Sequence, residues 1–224
     1  VFHTMLAYHL KDVLSTCPAP PETTRLLLSN LPLPRTFLKN SYAESRATLY
    51  LAIHSGDIPS TGYLGLVQAS YPTKFQYLPP LPQLHEYLRP LIHPRCIYAP
   101  VVVHDYMAQA RAMHWGMDLS LERILTSAGV PIVPNPGPAC SSLYAHVDLW
   151  REILPIWLKC FLIALDDAET TPYDTLECKP GLEPAYLLER LLTAVIAAHP
   201  GVEVRPIVGP QGQVYEALGD VCPD

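Results

Sequence analysis

Proline constrains this chain more than any other residue. Twenty-five of the 224 residues are proline, yet 49% of the chain is hydrophobic and only 16% is charged. A disordered proline-rich chain lacks the apolar surface needed to offset its conformational entropy. This chain has that surface, and its prolines cluster between apolar stretches, as in Pro18-Ala19-Pro20-Pro21, Leu31-Pro32-Leu33-Pro34, Pro79-Pro80-Leu81-Pro82 and Pro134-Asn135-Pro136-Gly137-Pro138. Proline removes a backbone donor and pushes the preceding residue out of helical geometry, so each cluster reads as a stop between elements. The expectation is a mainly α, compact multi-helix domain with stiff proline-rich connectors. It would form a single domain over residues 1–224, with a subdivision near 90–100 as the alternative.

Hydrophobic spacing supplies the expected elements. Phe2, Met5, Leu6, Leu10, Val13 and Leu14 recur at helical intervals over residues 2–15, and Leu26, Leu27 and Leu28 follow Thr23 and Thr24 as a short capped helix. Further helices are expected over 37–54, 84–88, 99–115, 119–127 and 182–198, with 63–69 ambiguous between helix and strand and read as helix. The longest helix should run from about 142 to 165, capped by Ser141 or Ser142 and kinked at Pro155. Past Val202 the period changes to two, and Pro210-Gln211-Gly212 turns the chain, so a C-terminal β-hairpin is expected.

Charge and cysteine usage exclude several classes. Residues 1–165 carry 12 Lys/Arg against 10 Asp/Glu, and 166–224 carry 3 against 11, so the formal charge of −6 is concentrated at the end. No cation cluster of the kind that displaces counterions from phosphates is present, which disfavours nucleic acid as a partner. The six cysteines are scattered without a C-x-x-C pair, and no metal or other cofactor is called for. The N-terminal stretch is interrupted by His3, His9, Lys11 and Asp12, unlike a signal peptide, and 147–165 holds too many charges for a membrane span. An intracellular, reducing compartment is the expectation.

Three local patterns could carry chemistry. Cys140 precedes the expected long helix, where the dipole would stabilise a thiolate, and His199 precedes the expected hairpin as a candidate base. That order resembles the papain-like cysteine proteases, although Ser141 replaces their usual aromatic residue. Val101-Val102-Val103-His104-Asp105 resembles the His-Asp dyad of HD-type phosphohydrolases, an all-helical family. The resemblance implies a metal held by His104 and Asp105 together with ligands from other elements. Asp166-Asp167-Ala168-Glu169 resembles the magnesium motif of class I terpene synthases, but no second metal motif follows it. Phosphate loops, G-x-G-x-x-G, G-x-S-x-G and H-E-x-x-H are absent from the sequence.

The sequence alone therefore favours a non-enzymatic α-helical protein that acts through protein–protein contacts or self-association, as an assembly, scaffold or viral structural component. Thirteen tyrosines and three tryptophans fit that reading, because such rings combine apolar area with a polar tip. Tyr71, Phe75, Tyr77 and Tyr87, around the stiff 79–82 connector, are the expected exposed interface. A hydrolase using Cys140/His199 or His104/Asp105 is the alternative.

Overall fold

The computed structural model describes residues 1–8, 17–38, 42–113, 116–170 and 183–216. Its centre is a six-stranded mixed sheet, which corrects the mainly α expectation to an α/β fold. The strands are β1 (Phe2–Tyr8), β2 (Thr23–Leu27), β3 (Tyr63–Gln68), β4 (Cys96–Ala99), β7 (Leu143–His146) and β8 (Glu203–Pro206). Their order is β2-β1-β3-β7-β4-β8, and β7 alone runs against the rest. A second, three-stranded sheet places β5 (Val101–Val103) between β6 (Gly137–Pro138) and β9 (Tyr215–Glu216).

The misread strands share a physical cause. Every residue of β3 is buried, and so are most of β1, because helices or loops cover both faces of the sheet. Strands covered on both faces lose the polar–apolar alternation that marks a half-exposed strand, and their continuous apolar runs imitate helical spacing. The residues expected as helix 2–15 thus begin with a strand, and residues 9–16 lie outside the described residues. The C-terminal expectation fails differently. The turn is present, with Gly212 N–H donating to the Gly209 carbonyl at 2.9 Å. Its flanking strands do not pair with each other, because β8 joins β4 and β9 joins β5, both in parallel.

Alternate residues of the central sheet feed two separate cores. On one face Met5, Ala7, Leu64, Leu66, Ile97, Leu143 and Ala145 meet α1 (Ser45–Ile53), α5 (Met117–Ala128), α6 (Val147–Thr170) and α7 (Glu183–Ala198). The expected helix 142–165 is thus displaced, since 143–146 form β7, and it continues through Pro155. Trp150 and Trp157 are buried on α6 and donate to the Leu64 and Leu188 carbonyls at 2.8 and 3.2 Å, tying it to β3 and α7. Lys159 reaches the Ala128 carbonyl at 2.8 Å, satisfying an orphan acceptor at the end of α5.

The other face is covered by the proline-rich 69–95 connection, with α2 (Tyr71–Lys74) and α3 (Leu84–Leu88). Phe2, Leu6, Tyr63, Val67, Tyr98 and Tyr144 supply its strand side. A polar cluster lies in its interior: Thr4 Oγ1 is 2.7 Å from His85 Nε2 and 2.6 Å from the Tyr144 hydroxyl. Burial pushes the His85 imidazole down to about 4, with His3 and Arg89 acting in the same direction. It is therefore neutral at pH 7, stacked on Phe2 at 5.2 Å between ring centres. Among the described residues no helix is long and apolar enough to cross a membrane.

Candidate functional site

Open α/β sheets bind ligands beyond the carboxyl ends of their parallel strands, where the chain departs to opposite sides of a starting strand. Here that point lies between β1 and β3, because β2 adds to one side of β1 and β3 to the other. Gln68 ends β3 at this point, opposite Ala7 of β1. Since β7 is antiparallel, it begins where β3 ends and brings Ser141 and Ser142 to the same edge. The Ser142 hydroxyl accepts from the Gln68 backbone N–H at 3.1 Å.

Glu189, on α7, is the acid of this edge. Its Oε1 accepts from the Ser141 hydroxyl at 3.0 Å, the Ser141 N–H at 3.4 Å and Gln68 Nε2 at 3.4 Å. Burial holds its carboxyl above the usual carboxylate range; Glu44 adds to the rise, while Arg190, Lys74 and the Ser141 hydrogen bond oppose it. Gln68 is itself 4% exposed, and its Oε1 accepts from Lys74 Nζ at 3.4 Å and Ser70 Oγ at 3.5 Å. Arg190, 3% exposed, anchors the edge by donating to the Ala139 carbonyl at 3.0 Å. The arrangement combines a carboxylate of raised proton affinity, two cations (Lys74 and Arg190) and three hydroxyls. That set can accept a proton from a bound hydroxyl and orient polar groups of a ligand.

No protein-family model matches the chain, and no curated protein sequence matches it significantly. A solved structure does: the apo form of WbbM, described as a bifunctional glycosyltransferase, superposes with a TM-score of 0.51 at 11% identity. The match covers 92% of this chain and 44% of WbbM, so the chain spans less than half the length of that neighbour. At such identity the likeness concerns the fold. It removes the all-helical scaffold on which the assembly, scaffold and viral structural reading stood, and that reading falls with it. The HD-type form of the hydrolase alternative falls too, since it presupposed an all-helical fold.

The side chains singled out in the sequence lie elsewhere or play other parts. Cys140 borders the site, but β7 separates it from α6, so it lacks the helix N-terminus expected to lower its pKa. Burial, aided by Glu189, instead pushes its thiol up to about 12, and Sγ bonds to the Ser142 carbonyl at 3.7 Å. His199 follows α7 and pairs with Glu152 at 3.3 Å, beside the Arg95–Glu152 bridge of 2.8 Å. His104 and Asp105 are exposed, and Asp105 caps α4 (Tyr106–Met113) by accepting from the Ala108 N–H at 2.8 Å. Among the described residues no three His, Cys, Asp or Glu side chains come together to hold a metal.

The expected exposed aromatic patch is not present. Tyr71 is 1% exposed and Phe75 is buried beside it, while Tyr77 and Tyr87 are partly buried against the same core. The rings of the 69–95 cover turn inward together with Leu78, Leu81, Leu84 and Leu88, and close one face of the sheet. Glu189 and Arg190 lie in no recognisable motif and interrupt the apolar run Leu187–Ile196 in adjacent positions. Two charges inside a helix whose remaining faces are apolar are the signal that was available.

Proposed function

We propose that this chain is a glycosyl-transfer domain whose active centre is the Glu189 cluster at the carboxyl edge of the sheet. The observation that carries the proposal is the Glu189 carboxyl, held at the β1/β3 departure point by Ser141 and Gln68 with its proton affinity raised by burial. The fold likeness to a glycosyltransferase supplies the reaction class. In such a transfer an acceptor hydroxyl oxygen forms a bond to the anomeric carbon of an activated sugar. The bond from that carbon to the leaving phosphate breaks, and the phosphate departs with the electron pair. The hydroxyl proton passes to Glu189, whose carboxylate is made a better proton acceptor by burial. The six cysteines are scattered without a C-x-x-C pair, which fits a reducing compartment.

The test is release of nucleoside diphosphate from a panel of nucleotide sugars, with and without sugar acceptors. Glu189→Gln keeps the hydrogen-bonding shape but cannot take a proton, and should lower turnover at least about 100-fold. Absence of both turnover and nucleotide-sugar binding in the folded chain, or full turnover in Glu189→Gln, would overturn the proposal.

A further inference from the structure

The Gln68 side chain has a defined orientation. Its amide oxygen faces two donors, Lys74 Nζ and Ser70 Oγ, and its amide nitrogen faces the Glu189 carboxylate. Rotating the amide by half a turn would set an NH2 group against an ammonium and an oxygen against a carboxylate, so only one orientation satisfies all partners. Gln68 therefore joins a cation on α2 to an acid on α7 through a single planar, polarisable group. A positive charge at the amide oxygen draws electron density from the nitrogen and strengthens the N–H bond donated to Glu189. Chains of hydrogen bonds inside a protein reinforce one another in this way.

We infer that Gln68 is a positioning residue that couples Lys74 to Glu189, adding a path through the amide to the direct attraction between the lysine and the carboxyl. The inference assigns a regulation to the centre proposed above and rests on that reading for its functional weight, but its primary readout requires no turnover. The charged and titratable groups facing Glu189 are Lys74 from α2, Arg190 from α7 itself, Glu44 ahead of α1 and Cys140 ahead of β7. Arg190 and Glu44 act on Glu189 without passing through Gln68, and a comparison that varies only Lys74 and Gln68 leaves them in place.

The experiment is a carbon-detected NMR titration of the Glu189 carboxyl in the unliganded full chain. Four proteins are compared: the wild type, Lys74→Met, Gln68→Met and the double variant. Lys74→Met should raise the Glu189 midpoint by about one pH unit in the wild-type background and by clearly less in the Gln68→Met background, where only the direct attraction remains. An equal rise in both backgrounds means that the lysine acts only directly through space, and no rise in either means that it does not act; each result overturns the inference. A second measurement needs no variant at Gln68: its side-chain amide protons should shift as Glu189 titrates, and amide protons that stay still overturn the relay. If the domain transfers sugar, the acidic limb of its pH–rate profile should move with the same midpoint. Loss of the NMR coupling with turnover intact defeats the relay alone, whereas an intact coupling without turnover defeats the transfer reading alone.

Discussion

The ring of Tyr144 lies directly over Gly65, its antiparallel partner on the adjacent strand, in the space a Cβ at position 65 would occupy. By crossing that gap the phenol reaches Thr4 on the strand beyond, so one hydrogen bond ties β7 to β1 across β3. A glycine within a buried strand weakens it locally, and here it admits the side chain that joins three strands.

Gly65→Ala should therefore destabilise by about 1–3 kcal/mol through overpacking against Tyr144. Urea melts of Gly65→Ala in the wild-type and Tyr144→Ala backgrounds check this. In the second background the added methyl should cost much less, because its obstacle is gone.

The His85 cluster makes stability fall with acid. A histidine that titrates near 6.5 when unfolded and near 4 when folded binds its proton preferentially in the unfolded chain throughout that window. Stability should decline by up to about 3 kcal/mol as pH drops through it, and no further from this group below it. His85→Gln should flatten that slope by close to one proton. An unchanged slope in chemical denaturation between pH 7 and pH 4.5 would refute the assignment.

Cys140 should resist alkylation. Its thiol is pushed up to about 12, so the thiolate fraction near neutral pH is far below that of an ordinary cysteine. Iodoacetamide labelling followed by peptide mass analysis should give a rate at least about tenfold below that of a free model thiol, restored on unfolding. Labelling at the model-thiol rate in the folded protein would contradict the burial assigned to it.

Phe161, 1% exposed, stacks on Trp157 at 5.8 Å and meets Phe37 and Tyr42 edge-on at 5.3 and 5.7 Å. Phe161→Ala should cost about 3–5 kcal/mol, the range for truncating a buried aromatic residue. A loss under about 0.5 kcal/mol, as for a surface change, would show that the α6 core is not as described.

The helices were legible where capping and one-sided apolar spacing agree. Helices were expected over 84–88 and 182–198 and are present as α3 and as α7 from Glu183, and Gly129 ends α5 with a φ of 72°. The strands β1 and β3 were not legible, because Phe2, Leu6, Tyr63 and Val67 face one core while Met5, Leu64 and Leu66 face the other. The candidate site was less legible still. Gln68, Ser141 and Glu189 meet only through strand register and helix docking, which no local pattern records, and none of the three lies in a recognisable motif. Cys140 and His104-Asp105 drew notice because their neighbours resemble known motifs, although burial and capping decide what those side chains do.

The reversed strand β7 also bears on the order in which a growing chain can assemble. β2, β1 and β3 form a contiguous half-sheet from the first 68 residues. β4 is completed at Ala99, yet its sheet neighbours are β7 and β8, which begin only at Leu143 and Glu203. At about 5–20 residues per second, β4 would wait roughly 2–9 s for β7 during translation. Throughout that interval Cys96-Ile97-Tyr98-Ala99 has two bare edges and no partner, the kind of segment that chaperones engage and that mispairs when they do not. Slowing translation between residues 100 and 143 should therefore reduce the yield of folded protein, whereas slowing it before residue 68 should not.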